Sequence, residues 1–429
     1  MSVATNQTIP DQSPIVLQKA ELKSWKAAIA LSAFAIIAVI LFILLRRPGD
    51  TTFSFSSGVD ALKLPNMVLP ATATSIVVAI VLVLMAAGSL LFVSRRGKVP
   101  LWFTTIFAVL FMMAFLTWAA AGHRIPFTGL LLGTVSLSVP LIFGALGGVI
   151  SERSGVVNVA IEGQLLGGAF VSAMVASITR NIWAGLFSAL IAGMLVSFVL
   201  AAFSIKYFVD QVIVGVVLNV LVTGLTSFLY SEVLAKNPTL LNHPPTLQRI
   251  AIPGLSQIPI IGPVLFDQTI IVYLMYIAVF AVWYALFHTK WGLRVRAVGE
   301  HPQAADTVGI NVTSTRFWNV SLAGAIAGLG GAYFTLGSVG LFTKEMTAGQ
   351  GFIALAAVIF GRWDPIRATL AALLFGFATN LQNVLGIIGS PVPSEFMLML
   401  PYVVTIFAVA GLVGYARAPA ADGKPYIKS

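Results

Sequence analysis

Apolar runs of about 17–25 residues recur along almost the whole chain, and each is long enough to cross a bilayer as a helix. Backbone groups inside lipid have no water to bond, so a run of this kind is expected to be helical. Of the 429 residues, 58% are hydrophobic and 9% are charged, whereas about 25% of a soluble domain is charged. The sequence therefore predicts an all-α, polytopic helical membrane protein.

The lengths of the apolar runs and the charged breaks between them predict about twelve membrane segments. The run at 351–361 is too short for a full crossing, and we interpret it as a broken or re-entrant helix. The predicted segments lie near 27–45, 70–93, 101–121, 129–150, 160–178, 183–205, 211–230, 269–287, 318–340, 351–361, 367–388 and 396–416.

Glycine content divides these segments into two groups. The three runs within 27–121 have few glycines and no charges in their interiors, which predicts an accessory three-helix N-terminal membrane bundle. From residue 129 onward the runs are rich in glycine and interrupted by polar residues. We interpret 129–416 as the working core.

Loop charge predicts the orientation. The net charge of +10 comes from Lys and Arg in short loops, as the positive-inside rule requires, and no basic face of soluble size is left for nucleic acid. The most basic loop, 288–317, is placed in the cytoplasm. Counting outward from it makes 1–26 and 417–429 cytoplasmic tails. The proline-rich stretch 231–268 is then expected to be an extended external cap.

Inside the 288–317 loop lies a short segment with a helix signal at each end. Pro302 suits a first helical position, Ala304 and Ala305 form the body, and Gly309 stops the helix. A helix this short between membrane spans is not expected to bury itself well against its own chain. We interpret it as an element that a partner holds.

A second polar stretch, Ser151–Gly155, separates two apolar runs and is soon followed by Asn158 and Glu162. Glu152 and Arg153 suit a solvated turn or a buried role equally well. Glu162 begins an apolar run, where an ionisable group is costly and normally faces a cavity or a partner. We therefore predict a structural or cavity-lining role for Asn158 and Glu162.

Several amides and one aromatic residue at the ends or interiors of apolar runs are candidates for contact with a solute. Amides both donate and accept hydrogen bonds without burying charge, which suits a neutral polar solute, but they also join helices within bundles. An aromatic ring can stack on a base or sugar, or simply pack. The candidates are Gln211, Asn219, Phe352, Asn380, Gln382 and Asn383.

Several kinds of chemistry find no support in the sequence. It has no cysteine, no phosphate-binding G-x-x-x-x-G-K-[ST] loop, no metal-ligand spacing among its four histidines, and no nucleophile–base grouping. No cofactor or metal site is predicted, and the chain is not expected to be an enzyme. If ATP drives it, a separate subunit must bind the nucleotide.

Four stretches carry a family resemblance: ISERSGVVNVAIEGQLLGGAF, DQVIVGVVLNVLVTGLTSFLY, RAVGEHPQAADTVGINV and GFIALAAVIFGRWDP. Together they resemble the inner-membrane permease subunit of bacterial ATP-binding cassette (ABC) importers, in the superfamily that serves branched-chain amino acids and simple sugars. The resemblance spans about 129–416. It is strongest to the second permease of nucleoside or simple-sugar importers fed by a basic-membrane-protein-type binding lipoprotein.

The resemblance implies a multi-pass protein of the bacterial inner membrane, in contact with membrane lipid, that works with an ATPase subunit and a sister permease. A periplasmic or lipid-anchored binding protein would deliver the cargo, a nucleoside first and a simple sugar such as a pentose second. It also implies that the short cytoplasmic helix docks on the ATPase and that Asn158–Glu162 forms a broken, cavity-lining region. The residues matching the docking element are Glu300, Ala304, Ala305, Asp306 and Gly309.

Two rival interpretations remain open. A self-sufficient secondary transporter would need ion-coupling acids near the midplane, and Glu162 is the one serious candidate. A membrane scaffold without transport activity would leave solute uptake unchanged when the chain is lost.

Overall fold

The computed structural model describes residues 24–56, 63–390, 392–393, 395–396, 399 and 417–428. Helices dominate this part of the chain, which confirms the predicted fold class. The α-helices are α1 (Lys26–Val39), α2 (Ala71–Arg96), α3 (Leu101–Ala119), α4 (Phe127–Arg153), α5 (Ile161–Thr179), α6 (Ile182–Ala201), α7 (Gln211–Leu229), α8 (Pro238–Leu241), α9 (Ile270–His288), α10 (Lys290–Glu300), α11 (Pro302–Thr307), α12 (Val312–Ala332), α13 (Gln350–Phe360) and α14 (Pro365–Ile387). Turns of π-helix extend α1 (Ile40–Leu44), α6 (Ala202–Lys206), α7 (Tyr230–Leu234) and α12 (Tyr333–Ser338).

Within the described residues, ten helices are long and apolar enough to cross a membrane, and each coincides with a predicted segment. The predicted broken segment is the 11-residue helix α13, which rises about 16 Å, roughly half of the hydrocarbon thickness. The last predicted segment, 396–416, lies almost entirely outside the described residues.

Five short strands occupy connections between helices. Strand β1 (Asp50–Ser54) pairs antiparallel with β2 (Met67–Pro70) and parallel with β3 (Arg124–Pro126). Strands β4 (Arg249–Ala251) and β5 (Asp267–Thr269) form an antiparallel pair. The second pair lies in the stretch expected to be extended. That expectation is corrected, because the stretch also holds α8 and short 3₁₀ and π turns.

The described chain divides into two compact units. The first contains the described residues up to Arg47 together with Ala71–Trp118, and thus α1, α2 and most of α3. Aromatic packing stabilises it: the Phe42 ring is fully buried, 5.8 Å from the Phe111 ring centroid. The Trp118 indole N–H donates to the Leu45 carbonyl at 2.8 Å, which satisfies a free carbonyl at the end of the first span.

The second unit contains Pro48–Pro70 and the described residues from Ala119 onward, with α4, α5 and α12 at its centre. Helix α12 packs against α5 and α6 through glycines. A Cβ atom added to Gly193 of α6 would lie 2.0 Å from the Gly324 carbonyl oxygen, and one added to Gly168 of α5 would lie 2.2 Å from the Gly328 carbonyl oxygen. Small residues therefore let these backbones touch directly, as membrane helix packing favours.

Polar caps set where several of these helices begin. The Asp210 carboxylate accepts from the Val212 amide at 2.9 Å, and the Asn311 side chain accepts from the Ser314 amide at 2.9 Å. Such caps satisfy amides at a helix start that have no partner within the helix. They fix the first turns of α7 and α12, the two helices that frame the sites described next.

Candidate functional site

Glu162 joins the beginnings of two helices. Its carboxylate accepts from the Thr347 hydroxyl at 2.6 Å, from the Gly349 amide at 2.9 Å and from the Gly351 amide at 2.6 Å. The side chain lies in the first turn of α5 and is only 8% exposed. Free amides at a helix start attract negative charge. The carboxylate therefore caps α13 and ties it to α5.

A cavity of about 540 Å³ opens beside this contact, between α5, α7 and the segment before α13. The Phe352 ring is 48% exposed, which leaves a large part of its surface uncovered at the cavity. Polar groups and aliphatic side chains line the space together, as in sites for small organic ligands. The polar lining residues are Glu162, Asn219, Thr223, Glu345 and Thr347, and the apolar ones include Leu166, Val216, Val220 and Phe352.

The backbone beside the cavity is strained. Glu345, Ala348 and Gly349 have φ angles of 54°, 46° and 80°. The left-handed conformation costs a residue with a side chain about 1–2 kcal/mol. Strain of this kind persists only where the surroundings enforce it. Here the bonds from Thr347 and Gly349 to the buried carboxylate hold the segment in place.

Asn219 and Gln211 anchor the non-helical connection between α4 and α5. The Asn219 amide donates to the Val159 carbonyl at 2.8 Å, and its oxygen accepts from the Gly163 amide at 2.8 Å. The Gln211 side-chain oxygen accepts from the Val157 amide at 2.7 Å. Both α7 amides thus satisfy backbone groups where the chain is irregular, and Asn219 also lines the cavity.

Asn158 lies away from the cavity. It is fully buried and forms a reciprocal pair with Gln164, at 3.2 and 3.0 Å, while Gln164 also donates to the Ser197 hydroxyl at 2.9 Å. This network connects α5 to α6. The hydrogen bonds that Asn158 offers are therefore used inside the protein.

The amides on α14 also lie outside the cavity. Asn380 is buried and donates to the Leu130 carbonyl at 2.6 Å, which joins α14 to α4. Gln382 is half-buried and Asn383 is exposed on other faces of the same helix. Of the eight predicted candidates, the cavity brings together Glu162, Asn219 and Phe352. The other five, Asn158, Gln211, Asn380, Gln382 and Asn383, do not line it.

The predicted short helix is α11, which begins at Pro302 and is followed by Gly309 with φ of 85°. It is preceded by a second helix, α10, which is absent from the sequence prediction. The sequence of α10 has a helical signal: Val295 and Val298, three residues apart, are buried, and Arg294 is exposed. The loop is therefore two short helices.

One face of α11 is covered and the other is free. Ala305 is only 3% exposed and packs with Val298 and Val312. The expectation that this helix does not bury itself well against its own chain is therefore wrong for Ala305. By contrast, Ala304 is exposed, and Val308 just beyond the helix is 75% exposed. These two residues are therefore accessible to a partner.

The turn after α4 is not a solvated turn. Glu152 is 3% exposed, and its carboxylate accepts from the Trp363 indole N–H. Arg153 donates to the Trp363 carbonyl at 2.9 Å, and its guanidinium lies 5.9 Å from the Phe287 ring centroid. Both charged residues are therefore part of the packing between α4, α9 and the turn before α14.

This turn contacts the end of α10 directly. A Cβ atom added to Gly299 would lie 2.1 Å from the Arg153 carbonyl oxygen, so no larger residue fits at this position. The stretch containing Ser151–Gly155 and the basic loop, which are separate motifs in the sequence, thus form one packed region. Part of α11 remains exposed in this region.

The comparisons with known proteins identify the family. Residues 130–409 match the family model described as branched-chain amino acid transport system, permease component. The chain belongs to this permease family. The matched region contains both the cavity and the α10–α11 pair.

Three curated relatives show how far the likeness extends. NupQ of Bacillus subtilis, a guanosine ABC transporter permease protein, is 43% identical over 69% of this chain and 95% of its own length. NupC of Lactococcus lactis, a nucleoside ABC transporter permease protein, is 43% identical over 68% of this chain and 94% of its own length. A second guanosine permease of Bacillus subtilis, NupP, is 25% identical over 67% of this chain and 85% of its own length. No solved structure matches the chain.

Proposed function

We propose that this chain is a permease subunit of an ATP-binding cassette importer and that it translocates nucleosides across the cytoplasmic membrane. The observation that carries the proposal is the 43% identity to NupQ and NupC over nearly their full lengths. Both of those proteins are named for nucleoside transport. A simple sugar such as a pentose is the second choice of cargo.

The cavity supports a nucleoside as cargo. Its volume of about 540 Å³ falls within the range of roughly 300–1,000 Å³ that is typical of small-molecule sites. The exposed Phe352 ring offers a face for a nucleobase, and base–aromatic stacking contributes about 1–3 kcal/mol. Asn219, Thr223 and Glu345 offer polar groups for ribose hydroxyls or base edges.

We propose three partners for the chain. An ATPase subunit binds α11 at the exposed Ala304 and the turn at Gly309. Glu300 and Asp306, whose carboxylates also bond the Ala420 amide and the Tyr426 hydroxyl, border that contact. Ala305 supports the helix from beneath. A sister permease completes the pathway, a role consistent with the presence of two guanosine permeases, NupQ and NupP, in one organism. A binding protein delivers the cargo, and α11 and both termini face the cytoplasm.

Uptake by cells that carry the chain with its ATPase tests this proposal. We expect these cells to take up radiolabelled guanosine only when the ATPase is active. Excess unlabelled nucleosides should abolish this uptake, whereas excess ribose should not. ATP-independent uptake driven by a proton gradient would instead establish a secondary transporter. Inhibition by ribose alone would establish a sugar as the cargo.

Phe352→Leu tests the stacking surface. Loss of about 1–3 kcal/mol of stacking predicts that the concentration for half-maximal uptake rises roughly 5- to 150-fold. The matched control is Phe280→Leu, because Phe280 is 63% exposed on α9 and does not line the cavity. Equal effects of the two substitutions would refute a role for Phe352 in cargo binding.

A further inference from the structure

Residues 417–428 return to the packed region formed by α10, α11 and the turn after α4. The Ala421 amide donates to the Gly299 carbonyl at 2.9 Å. The adjacent Ala420 amide donates to the Glu300 carboxylate at 3.1 Å. Pro419 and Ala421 are buried. The sequence predicts a cytoplasmic tail here, and the structure shows that residues 417–428 are bonded to the end of α10.

The same segment is bonded to α12 by a buried arginine. Arg316 is only 2% exposed, and its guanidinium donates to the Lys424 carbonyl at 2.8 Å and to the Ala421 carbonyl at 3.5 Å. A guanidinium presents several donors in a fixed plane, which lets one side chain hold two backbone carbonyls. Burying this charge is costly unless it is hydrogen-bonded. The two carbonyls therefore offset the cost of burying the Arg316 guanidinium.

The segment also contacts the turn after α4 and the connection that follows it. A Cβ atom added to Gly155 would lie 3.2 Å from the Ala421 carbonyl oxygen, and one added to Gly423 would lie 3.4 Å from a Val157 methyl carbon. Asp422 lies close enough to Glu152 and Arg316 for their charges to interact. These contacts connect residues 417–428 to the part of the chain that leads into α5 and the cavity.

A fourth contact reaches α11 itself. Tyr426 packs on the cluster of Val298, Ala305 and Val312, and its hydroxyl is hydrogen-bonded to Asp306. Helix α11 has six residues, far fewer than the roughly 12–15 that an isolated helix needs to be even marginally stable. Its position therefore depends on what packs beneath it, and Tyr426 is part of that support.

We propose that residues 417–428 form a strap that fixes α11 to the turn after α4 and to the start of α12, so that a displacement of α11 reaches the cavity helices as a unit. This proposal rests on the proposed function only for the source of the displacement, the ATPase. Arg316 is the positioning residue, because it alone holds two strap carbonyls from within α12. The strap remains attached throughout the transport cycle.

Hydrogen–deuterium exchange of the full-length chain in nanodiscs tests the attachment without any transport assay. In Arg316→Gln, we expect amides of 302–309 to exchange at least about tenfold faster, the change expected from one lost charge-assisted hydrogen bond. Lys424→Ala is the matched control, since it removes an exposed side chain and keeps the carbonyl that Arg316 bonds. Unchanged exchange in α6 shows that the variant is folded.

A disulfide tests whether the strap must stay attached. The chain has no cysteine of its own, and the contact between Val157 and Gly423 suits a Val157→Cys, Gly423→Cys pair. Because the reduced and oxidised forms are the same protein, any strain at Gly423 cancels in the comparison. When the cysteine pair is combined with Arg316→Gln, oxidation is expected to restore the protection of α11 from exchange. When the pair is the only change, oxidation is expected to alter nucleoside uptake by no more than about twofold, since the disulfide does not shift an equilibrium between attached and detached strap.

Each outcome decides the proposal. If 302–309 exchange at the same rate in Arg316→Gln, or if removal of 419–429 leaves them protected, the strap does not position α11. If oxidation abolishes uptake that the reduced protein supports, the strap must detach and the proposal is wrong. If the unsubstituted chain with its ATPase shows no nucleoside uptake at all, the proposed cargo fails, and the exchange experiment still decides the role of the strap.

Discussion

Replacing Glu162 perturbs the contact on which the start of α13 depends. In Glu162→Ala the Thr347 hydroxyl and the Gly351 amide lose a buried partner, whereas the Gly349 amide is only partly buried and can turn to water in the cavity. Each buried donor left unsatisfied costs about 1–3 kcal/mol. The costs of these two donors are not additive, because both bond the same side chain. We therefore expect the free energy of unfolding to fall by about 3–5 kcal/mol.

Glu162→Gln removes the charge of this side chain and keeps its shape, so it measures the contribution of the charge. The amide oxygen can replace the carboxylate oxygen that binds Thr347 and Gly349, but the amide nitrogen then faces the Gly351 amide, donor against donor. Loss of one charge-assisted bond and of the charge at the start of α13 predicts a cost of about 2–3 kcal/mol. The predicted order of stability is therefore wild type, then the Gln variant, then the Ala variant.

Thermal unfolding in a mild detergent measures that order. Glu345→Gln is the matched control, because it makes the same chemical change at an exposed carboxylate in the same strained segment. We expect its melting temperature to equal that of the wild type. Wild-type melting temperatures for both Glu162 variants would show that the three hydrogen bonds do not hold α13, and the account of the cavity wall would be wrong.

Three further predictions concern Gly351, α11 and the strap. Gly351→Ala should fail to assemble α13 against α5, because its Cβ would lie 2.3 Å from the Glu162 amide nitrogen, whereas Gly386→Ala meets no atom within 4 Å and should melt like the wild type. Ala305→Glu should lower the melting temperature through a buried charge, whereas Ala304→Glu should keep it and reduce ATPase binding in a pull-down. Burial raises the pKa of Asp422 from 3.8 to about 7, so the stability that its protonated form contributes below about pH 4 is lost as the pH rises through 7. Melting curves from pH 4 to 8 should show a larger loss in the wild type than in Asp422→Asn, in which buried Glu152 still remains to titrate.

The membrane segments within the described residues and α11 could be predicted from the sequence because their signals are local. Apolar length sets the spans, and a proline at the first position with a glycine beyond the end marks α11. These signals depend on neighbouring residues alone. The α10 helix has such a signal as well, in the spacing of Val295 and Val298, but the many charges of this loop obscure it.

The partners of the polar residues could not be predicted, because they lie far away in the sequence. Glu162 bonds residues 185 to 189 positions later, and Arg316 bonds the strap more than 100 positions later. An amide in an apolar helix gives the same sequence signal whether it faces a solute or another helix. Asn158 and Asn219 therefore look equivalent in the sequence, although only Asn219 reaches the cavity.

The direct backbone contacts of α12 with α5 and α6 have a mechanical consequence. Carbonyl oxygens of Gly324 and Gly328 occupy the space where Cβ atoms of Gly193 and Gly168 would lie. Sliding by one residue, about 1.5 Å along a helix, would bring a neighbouring side chain into that space. We therefore expect these three helices to move as one rigid body, so that any rearrangement that opens the protein bends it at α7 and at the short α13 instead.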